Sequence, residues 1–441
     1  MMFNKFLVFS QNKLDYIYKN SLFLQNIDKL ILPLILIIYA VSTFMNSDSI
    51  GFVALIVMFL TLVKILTKPG EKIYLNTFEI FLVVYFMIVV VSLFGSSLFS
   101  LSLKGFFKTF IYLGFYFSIA QYLKNNKSKI STILGVIALC ISIEGLIGCF
   151  QSTLHLQEIS TWQDVSRLNP EDVLSRVYGT LKPLNPNLFG GYLVCGISSV
   201  IGGAFYCFYT KHYKLAAVFS VLSVTTFYAI LQTGCRGAYL AAILILGCVF
   251  LVCAKFFWNQ FKKLYLSLIG ILIAVFTFCL TFSGALRHRF MSIFAMRNDS
   301  SNSFRFNVYQ SSLQMFKDNW LFGIGVGNKN FREIYGLYMK TGFDALSTYN
   351  IYLETAVESG IFALISFLAF LGKLSYDSVK YILNSKNIPF VIFISVCIIS
   401  IWAVMFHGLV DTIYFRPQLQ FLFWTYVGVI TAIMDNPAAN S

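Results

Sequence analysis

About twelve stretches of this chain are each long and apolar enough to cross a bilayer, which rules out almost every water-soluble fold. They run over 30–46, 50–67, 76–99, 105–123, 131–150, 187–209, 214–232, 236–254, 263–283, 349–372, 388–408 and 416–434. A bilayer core offers no water to the peptide group, so each segment must satisfy its own N–H and C=O groups as a helix. Composition agrees, with 58% hydrophobic residues, 12% charged residues and a mean hydropathy of +0.74. The expected fold is all-α: a polytopic integral membrane protein of about 12 transmembrane helices with one long extracytoplasmic loop.

Charge then orients the chain. Segments 1–29, 64–75, 124–130, 211–214, 255–263 and 373–386 hold 18 of the 24 lysines and none of the nine arginines. By the positive-inside rule these segments face the cytoplasm, and both termini lie inside. The arginines are Arg167, Arg176, Arg236, Arg287, Arg289, Arg297, Arg305, Arg332 and Arg416, all on segments assigned to the outer side. Lysine thus sets topology. Arginine, a rigid and always-charged fork suited to phosphate and carboxylate oxygens, is reserved for another task. The net charge of +14 is spread through loops, so no nucleic-acid partner is expected.

Five units follow. Residues 1–29 form a cytoplasmic interfacial segment in which lysines alternate with Phe3, Phe6, Leu7, Phe9, Tyr16, Ile17 and Tyr18, a pattern that lies on membrane lipid and lacks the compact apolar core of a cleavable signal. Residues 30–283 carry nine spans and the outer loop 151–186. Residues 284–348 form the long outer loop, 349–434 the last three spans, and 435–441 a cytoplasmic tail. Nine cysteines show no disulfide or metal spacing, although Cys149 and Cys235 both lie near the outer side. His155, His212, His288 and His407 are not paired at ligand spacing, so no metal is expected.

The polar outer-side motifs carry the candidate chemistry. Loop 151–186, with Glu158, Asp164, Arg167, Glu171, Asp172 and Arg176, leads into Asn185-Pro-Asn187-Leu-Phe-Gly190-Gly191. Asn185 suits a helix cap and Pro186 the first turn. The motif is either a helix entry packed by small residues or a helix N-terminus facing an anionic head group. Arg236 opens a span between Gly234 and Gly237, where it either snorkels to the interface or binds an anion. Residues 305–318 have helical spacing and lie along the outer surface. Gly323, Gly325 and Gly327 mark a turn. Asn350, Glu354 and Glu358 recur every four residues and share one face of the tenth span. Glu354 and Glu358 either pair with a loop arginine or serve as acid and base. Glu144, inside the fifth span, is a candidate of the same kind. His407 and Asp411, also four apart, form either a structural pair or a hydrogen-bonded acid/base pair. Tyr335, Tyr338 and Tyr349 suit either a sugar face or the interface.

In this order, the motifs resemble the superfamily of O-antigen ligases, O-antigen polymerases and related lipid-linked glycan transferases. The resemblance covers roughly 170–420. It rests on Asn185 to Leu193, Arg236-Gly237, Arg305, Gly323 to Gly327, Asn350 to Gly360, and His407 with Asp411. Within the superfamily the chain looks closest to a cyanobacterial branch named for inorganic carbon accumulation, once proposed to transport bicarbonate. The runs carrying that likeness are Arg297 to Arg305, Gly325 to Asn328, Tyr338-Met339, Phe343 to Ser347, Ile351 to Glu354 and His407 to Thr412. The resemblance implies a GT-C-like fold in the bacterial inner membrane. It also implies transfer of a glycan from a polyprenyl-diphosphate carrier to a glycan or lipid acceptor at the outer face, with neither metal nor cofactor. Arg236 and Arg305 would hold the diphosphate, with Arg176 and Arg416 beside the flanking motifs. Asn185, Asn187, Asn350 and Tyr338 would contact glycan. Tyr349 stands where the ligases place a histidine thought to activate the acceptor. Unperturbed tyrosine has a pKa of about 10, against about 6.5 for histidine. Glu354, Glu358, His407 and Asp411 therefore join Tyr349 as catalytic candidates. A bicarbonate transporter and a non-catalytic glycan-assembly protein are the competing readings. Against a transporter, the sequence shows no internal repeat, and its polar residues crowd at one face.

Overall fold

The computed structural model describes every residue except 1, 46, 157, 160–174, 283, 295–299 and 436–441. Arg167 and Arg297, with Asp164, Glu171 and Asp172, lie outside the described residues. The architecture is a helical bundle. Its elements are α1 (Met2–Asn20), α2 (Leu22–Gln25), α3 (Ile27–Val41), α4 (Ser47–Thr67), α5 (Thr77–Gly95), α6 (Phe99–Asn125) and α7 (Ile130–Thr153). A two-residue strand pair follows, β1 (Glu158–Ile159) antiparallel to β2 (Ser175–Arg176). Then come α8 (Pro186–Tyr209), α9 (Tyr213–Gln232), α10 (Arg236–Phe282), α11 (Gly284–Met291), α12 (Ser300–Asp318), α13 (Asn328–Tyr335), α14 (Ile351–Asn384), α15 (Ile388–His407) and α16 (Pro417–Met434).

Among the described residues, nine of these helices are long and apolar enough to cross a membrane. The chain is a multi-pass membrane protein. Each of the twelve expected spans falls largely on a helix, but three fall outside that count. α3 is only 15 residues long, α6 carries Lys104, Lys108 and Lys124, and the second half of α10 lies beyond the span that ends at Asn259.

Two loops expected from the sequence are helix instead. Residues 255–263 continue α10, which departs from helical geometry only at Phe261 (φ −129°). Residues 373–384 extend α14, because the lysines there sit on a helix whose Leu371, Leu374, Ser378 and Ile382 remain buried. Hydropathy falls at such lysines without ending the helical hydrogen-bond ladder.

α8, α15 and α16 form the centre, with α16 buried over almost its whole length. α6 packs on α16, α7 and α9 on α8, and α5 on α14. The apolar side chains on these faces form one continuous core. The lysine-bearing end is tied by charge. Lys64, 1% exposed, lies 2.7 Å from Asp28 and 3.4 Å from Glu71, and Lys68 lies 3.0 Å and 3.5 Å from the same carboxylates. Gln11 on α1 donates to the carbonyls of Ile65 and Glu71. The amphipathic α1 is thereby fastened to α4 and still presents Phe6, Phe9, Tyr16 and Ile17 outward.

The long loop 284–348 is mostly helical. α12 and α13 form a small second core in which Val308, Met315, Phe331 and Tyr335 pack against Val357 of α14. α14 breaks at Gly360, at φ +80° and ψ 177°. A Cβ at Gly360 would overlap the carbonyl of Leu321. Gly360→Ala combines that overlap with a backbone conformation that alanine adopts poorly. It is expected to cost at least about 2 kcal/mol, visible as a lower thermal midpoint of the detergent-purified protein.

Candidate functional site

The break at Gly360 leaves the carbonyls of Val357 and Glu358 without their intrahelical donors. The glycine turn supplies them: Ile324 N–H donates to Val357 O at 3.0 Å and Gly325 N–H to Glu358 O at 2.9 Å. In return, Ile361 N–H donates to Trp320 O at 2.9 Å. Gly323, Gly325 and Gly327 have φ of +70°, +97° and +116°, so the turn expected from their spacing is present. Glu358 closes it by accepting Gly327 N–H at 2.8 Å. Ser92 of α5 and Ser96 at its C-terminal cap donate to Glu358 O and Ile324 O, and Asn330 of α13 donates to Ile324 O and Gly325 O. Gly327 lies against Gly105 of α6, where neither position has room for a side chain.

Three more segments converge on this platform. Residues 347–350 run into α14. Thr348 donates to Glu354 through both N–H and hydroxyl, and Asn350 caps the helix by accepting Leu353 N–H. Asn350 Nδ2 also donates to Leu409 O and Ile351 N–H to Gly408 O, which fastens this entry to the turn after α15. At the start of α8, Asn185 accepts the N–H groups of Asn187 and Leu188 with Pro186 in the first turn, as its sequence position implied. Arg176 on β2 donates to Thr233 O at 2.7 Å and Asn187 Oδ1 at 2.5 Å, joining the strand, the α9–α10 turn and α8.

Between these pieces lies a cavity of about 460 Å³. Its cations are Lys108 from α6, Arg305 from α12 and Arg416 from the start of α16. Asp411 is the one carboxylate among the described residues that line it, 3.7 Å from Arg305. Asn185, Asn187, Ser347, Tyr349, Thr412 and Asn328 complete the polar wall. Among the described residues Lys108 and Arg416 make no ion pair, so the cavity holds more positive charge than Asp411 balances. A smaller space beneath it shares Lys108, Tyr112, Asn328 and Phe415 and reaches Glu354 and Glu358.

The structure therefore gathers Tyr349, Asp411, Arg305, Arg416, Asn185 and Asn187 around one space. Tyr349 adopts φ +56°, and its carbonyl accepts from Tyr309. Its ring faces the Arg305 guanidinium at 5.9 Å. Burial, reinforced by the charge of Asp411 and opposed by that of Arg305, pushes its phenol up to about 12. A phenol in that state does not take up a proton near neutrality. Burial holds Arg176 below its ordinary value, yet a guanidinium still carries charge at neutral pH.

Other candidates lie elsewhere. His407 and Asp411 do not hydrogen-bond. His407 points Nε2 at Cys235 Sγ, 3.6 Å away, and its Nδ1 has no partner, while Asp411 turns toward Arg305. The residues are four apart in sequence, but α15 ends at His407 and the chain leaves the helix, so helical spacing does not carry over. Glu354 and Glu358 hold backbone and threonine donors rather than an arginine. Glu144 accepts from Thr180 N–H and hydroxyl, pinning the loop before α8. Arg236 is nearly buried and donates to Ser292 O at 3.2 Å, tethering α11 to α10 outside the cavity lining. Asn350 serves as a cap, and Tyr338 packs on the small core of α12 and α13. Cys149 and Cys235 are both free thiols.

Lys108 and Asn328 escaped the reading of the sequence. Lys104 and Lys108, one turn apart at the start of an apolar stretch, were the available signal for the first. For the turn, Glu358→Gln keeps an oxygen that accepts Gly327 N–H and is expected to change stability little. Glu358→Ala leaves that N–H unpaired and is expected to cost about 1–3 kcal/mol in chemical denaturation of the purified protein.

Comparison with known proteins adds one finding. No match is found among curated proteins. The segment that matches a family model contains Arg236, Arg305, Tyr349, Glu354 and Glu358, whereas Lys108, Asn185, Asp411 and Arg416 lie outside it. Residues 221–368, from within α9 to just past the break in α14, match the Wzy_C family model, described as O-Antigen ligase.

Proposed function

We propose that this protein transfers a glycan from a polyprenyl-diphosphate carrier to a glycan or lipid acceptor, at the outer face of the bacterial inner membrane. The observation that carries the reading is the cavity whose described lining sets Lys108, Arg305 and Arg416 around one carboxylate, Asp411. The O-Antigen ligase match over 221–368 supports the substrate class, and lysine's concentration at the opposite end of the bundle supports the side.

In this reading the three cations hold the diphosphate. The acceptor hydroxyl oxygen attacks the anomeric carbon of the donor sugar as the bond from that carbon to the diphosphate oxygen breaks. The hydroxyl proton passes to Asp411, and the electron pair leaves with the diphosphate, whose growing charge the cations stabilise. Asp411 lies in the same cavity as the cations, 3.7 Å from Arg305. Asn185, Asn187 and Tyr349 line the sugar's side of the cavity. Tyr349, with its phenol protonated, orients Arg305 and does not act as the base.

The test is transfer in liposomes from a polyprenyl-diphosphate glycan. Arg305→Ala, Arg416→Ala and Lys108→Ala are each expected to lose about 10²-fold or more in turnover, the scale of removing one transition-state donor. Arg236→Ala is expected to lose less than Arg305→Ala, because it acts through α11. Asp411→Asn is expected to keep donor binding and lose transfer, whereas a protein that only binds glycan would lose nothing measurable in this assay. Tyr349→Phe is expected to retain most activity, with no change in the pH profile below about pH 9. Deleting the gene is expected to change surface glycans. Unchanged glycans together with lost bicarbonate uptake would overturn the proposal in favour of a transporter.

A further inference from the structure

At the end of the bundle opposite the arginine site, α8, α10 and α15 enclose a second cavity of about 380 Å³. It is independent of the transfer reading. Its wall is almost wholly apolar, with Ile201 and Phe205 from α8, Val249 and Val252 from α10, and Ile392 from α15. A cavity of about 150 Å³ suffices for benzene, so this one admits a much longer hydrocarbon.

Depth and charge narrow the occupant. The lining on α8 runs from Ser198 to Tyr209 and that on α15 from Ile399 to Ile388. Eleven helical steps at 1.5 Å each make a slot roughly 16 Å deep, parallel to the helices. That is about half of a hydrocarbon core of roughly 30 Å, the depth of one leaflet. Lys211 stands at the mouth, exposed, at φ +64° in the turn between α8 and α9, with His212 and Lys214 beside it. Among the described residues no aspartate or glutamate lines the slot. Lys255 of α10 donates to Ile382 O and Ser385 O and does not line the slot, so among the described residues Lys211 is the cation of the lining.

We propose that this slot binds one acyl chain of an anionic phospholipid, with the lipid phosphate at Lys211. A long apolar trench one leaflet deep matches the chain, and a cation at head-group level matches the phosphate. A zwitterionic lipid gains only the apolar part of this contact.

The experiment uses the full chain, released from nanodiscs of equal phosphatidylglycerol and phosphatidylcholine, with retained lipid counted by native mass spectrometry. Wild type is expected to retain phosphatidylglycerol in preference. Lys211→Gln is expected to reduce that retention about fivefold, the worth of one lysine near an anionic head group, and to leave phosphatidylcholine unchanged. Val252→Trp, which fills the slot from its half-buried α10 wall, is expected to abolish retention of both lipids while circular dichroism stays helical. Equal retention of the two lipids by wild type, or wild-type retention by Lys211→Gln, would overturn the proposal. Displacement of phosphatidylglycerol by an equal amount of polyprenyl phosphate would overturn the choice of occupant.

Discussion

The structure of the site depends on two stranded carbonyls. Gly360 takes α14 off the helical path, and Val357 O and Glu358 O then need donors that a bilayer cannot provide. Ile324 and Gly325 supply them, and the remainder follows from that exchange. The turn can come so close only because residues 323, 325 and 327 are glycines. Its position sets α13, which with α12 carries Arg305 into the cavity. Glu358 holds the turn from below, and Ser92 and Ser96 hold it from the end of α5. Irregular backbone at this depth is permissible because protein, and not lipid, surrounds it.

The two ends of the bundle handle charge differently. At the lysine end, Lys64 and Lys68 are neutralised by Asp28 and Glu71, and the network fastens α1 to α4. These two lysines are matched within the protein, which limits the cost of burying Lys64. At the arginine end, Lys108 and Arg416 line the cavity and make no ion pair among the described residues, and Arg305 shares Asp411 at 3.7 Å. Unbalanced positive charge in a cavity is a standing attraction for an anionic ligand.

Much of this was legible in local sequence. Asn185 and Asn350 act as caps because asparagine's short amide reaches the first N–H groups of a helix, a property of neighbouring residues alone. The three glycines announced their turn for the same reason. What was not legible depends on where the chain goes next. His407 and Asp411 read as a pair only if the helix continued through both, and it stops at His407. Arg236 and Arg305 read alike as outer-side arginines that would hold the diphosphate, but the first bonds Ser292 just after α11 and α12 offers the second to the cavity. Lys108 lies about 200 residues from Arg305, and nothing local to either predicts that α6 and α12 face the same space. The break within α14 was equally hidden, since a glycine inside an apolar run signals many things besides a turn in the backbone.

Gly105 and Gly327 touch backbone to backbone, and this has a consequence for how the protein can vary. Most neighbours in a core accommodate drift, one side chain shrinking as its partner grows. Here neither position has a side chain to shrink, and the obstacle each would meet is main chain. The two sites are locked together with no compensating exchange open to them. Lys108 lies one helical turn from that contact, so the chain's freedom to reposition this cation is limited by a pair of residues that carry no charge and no side chain.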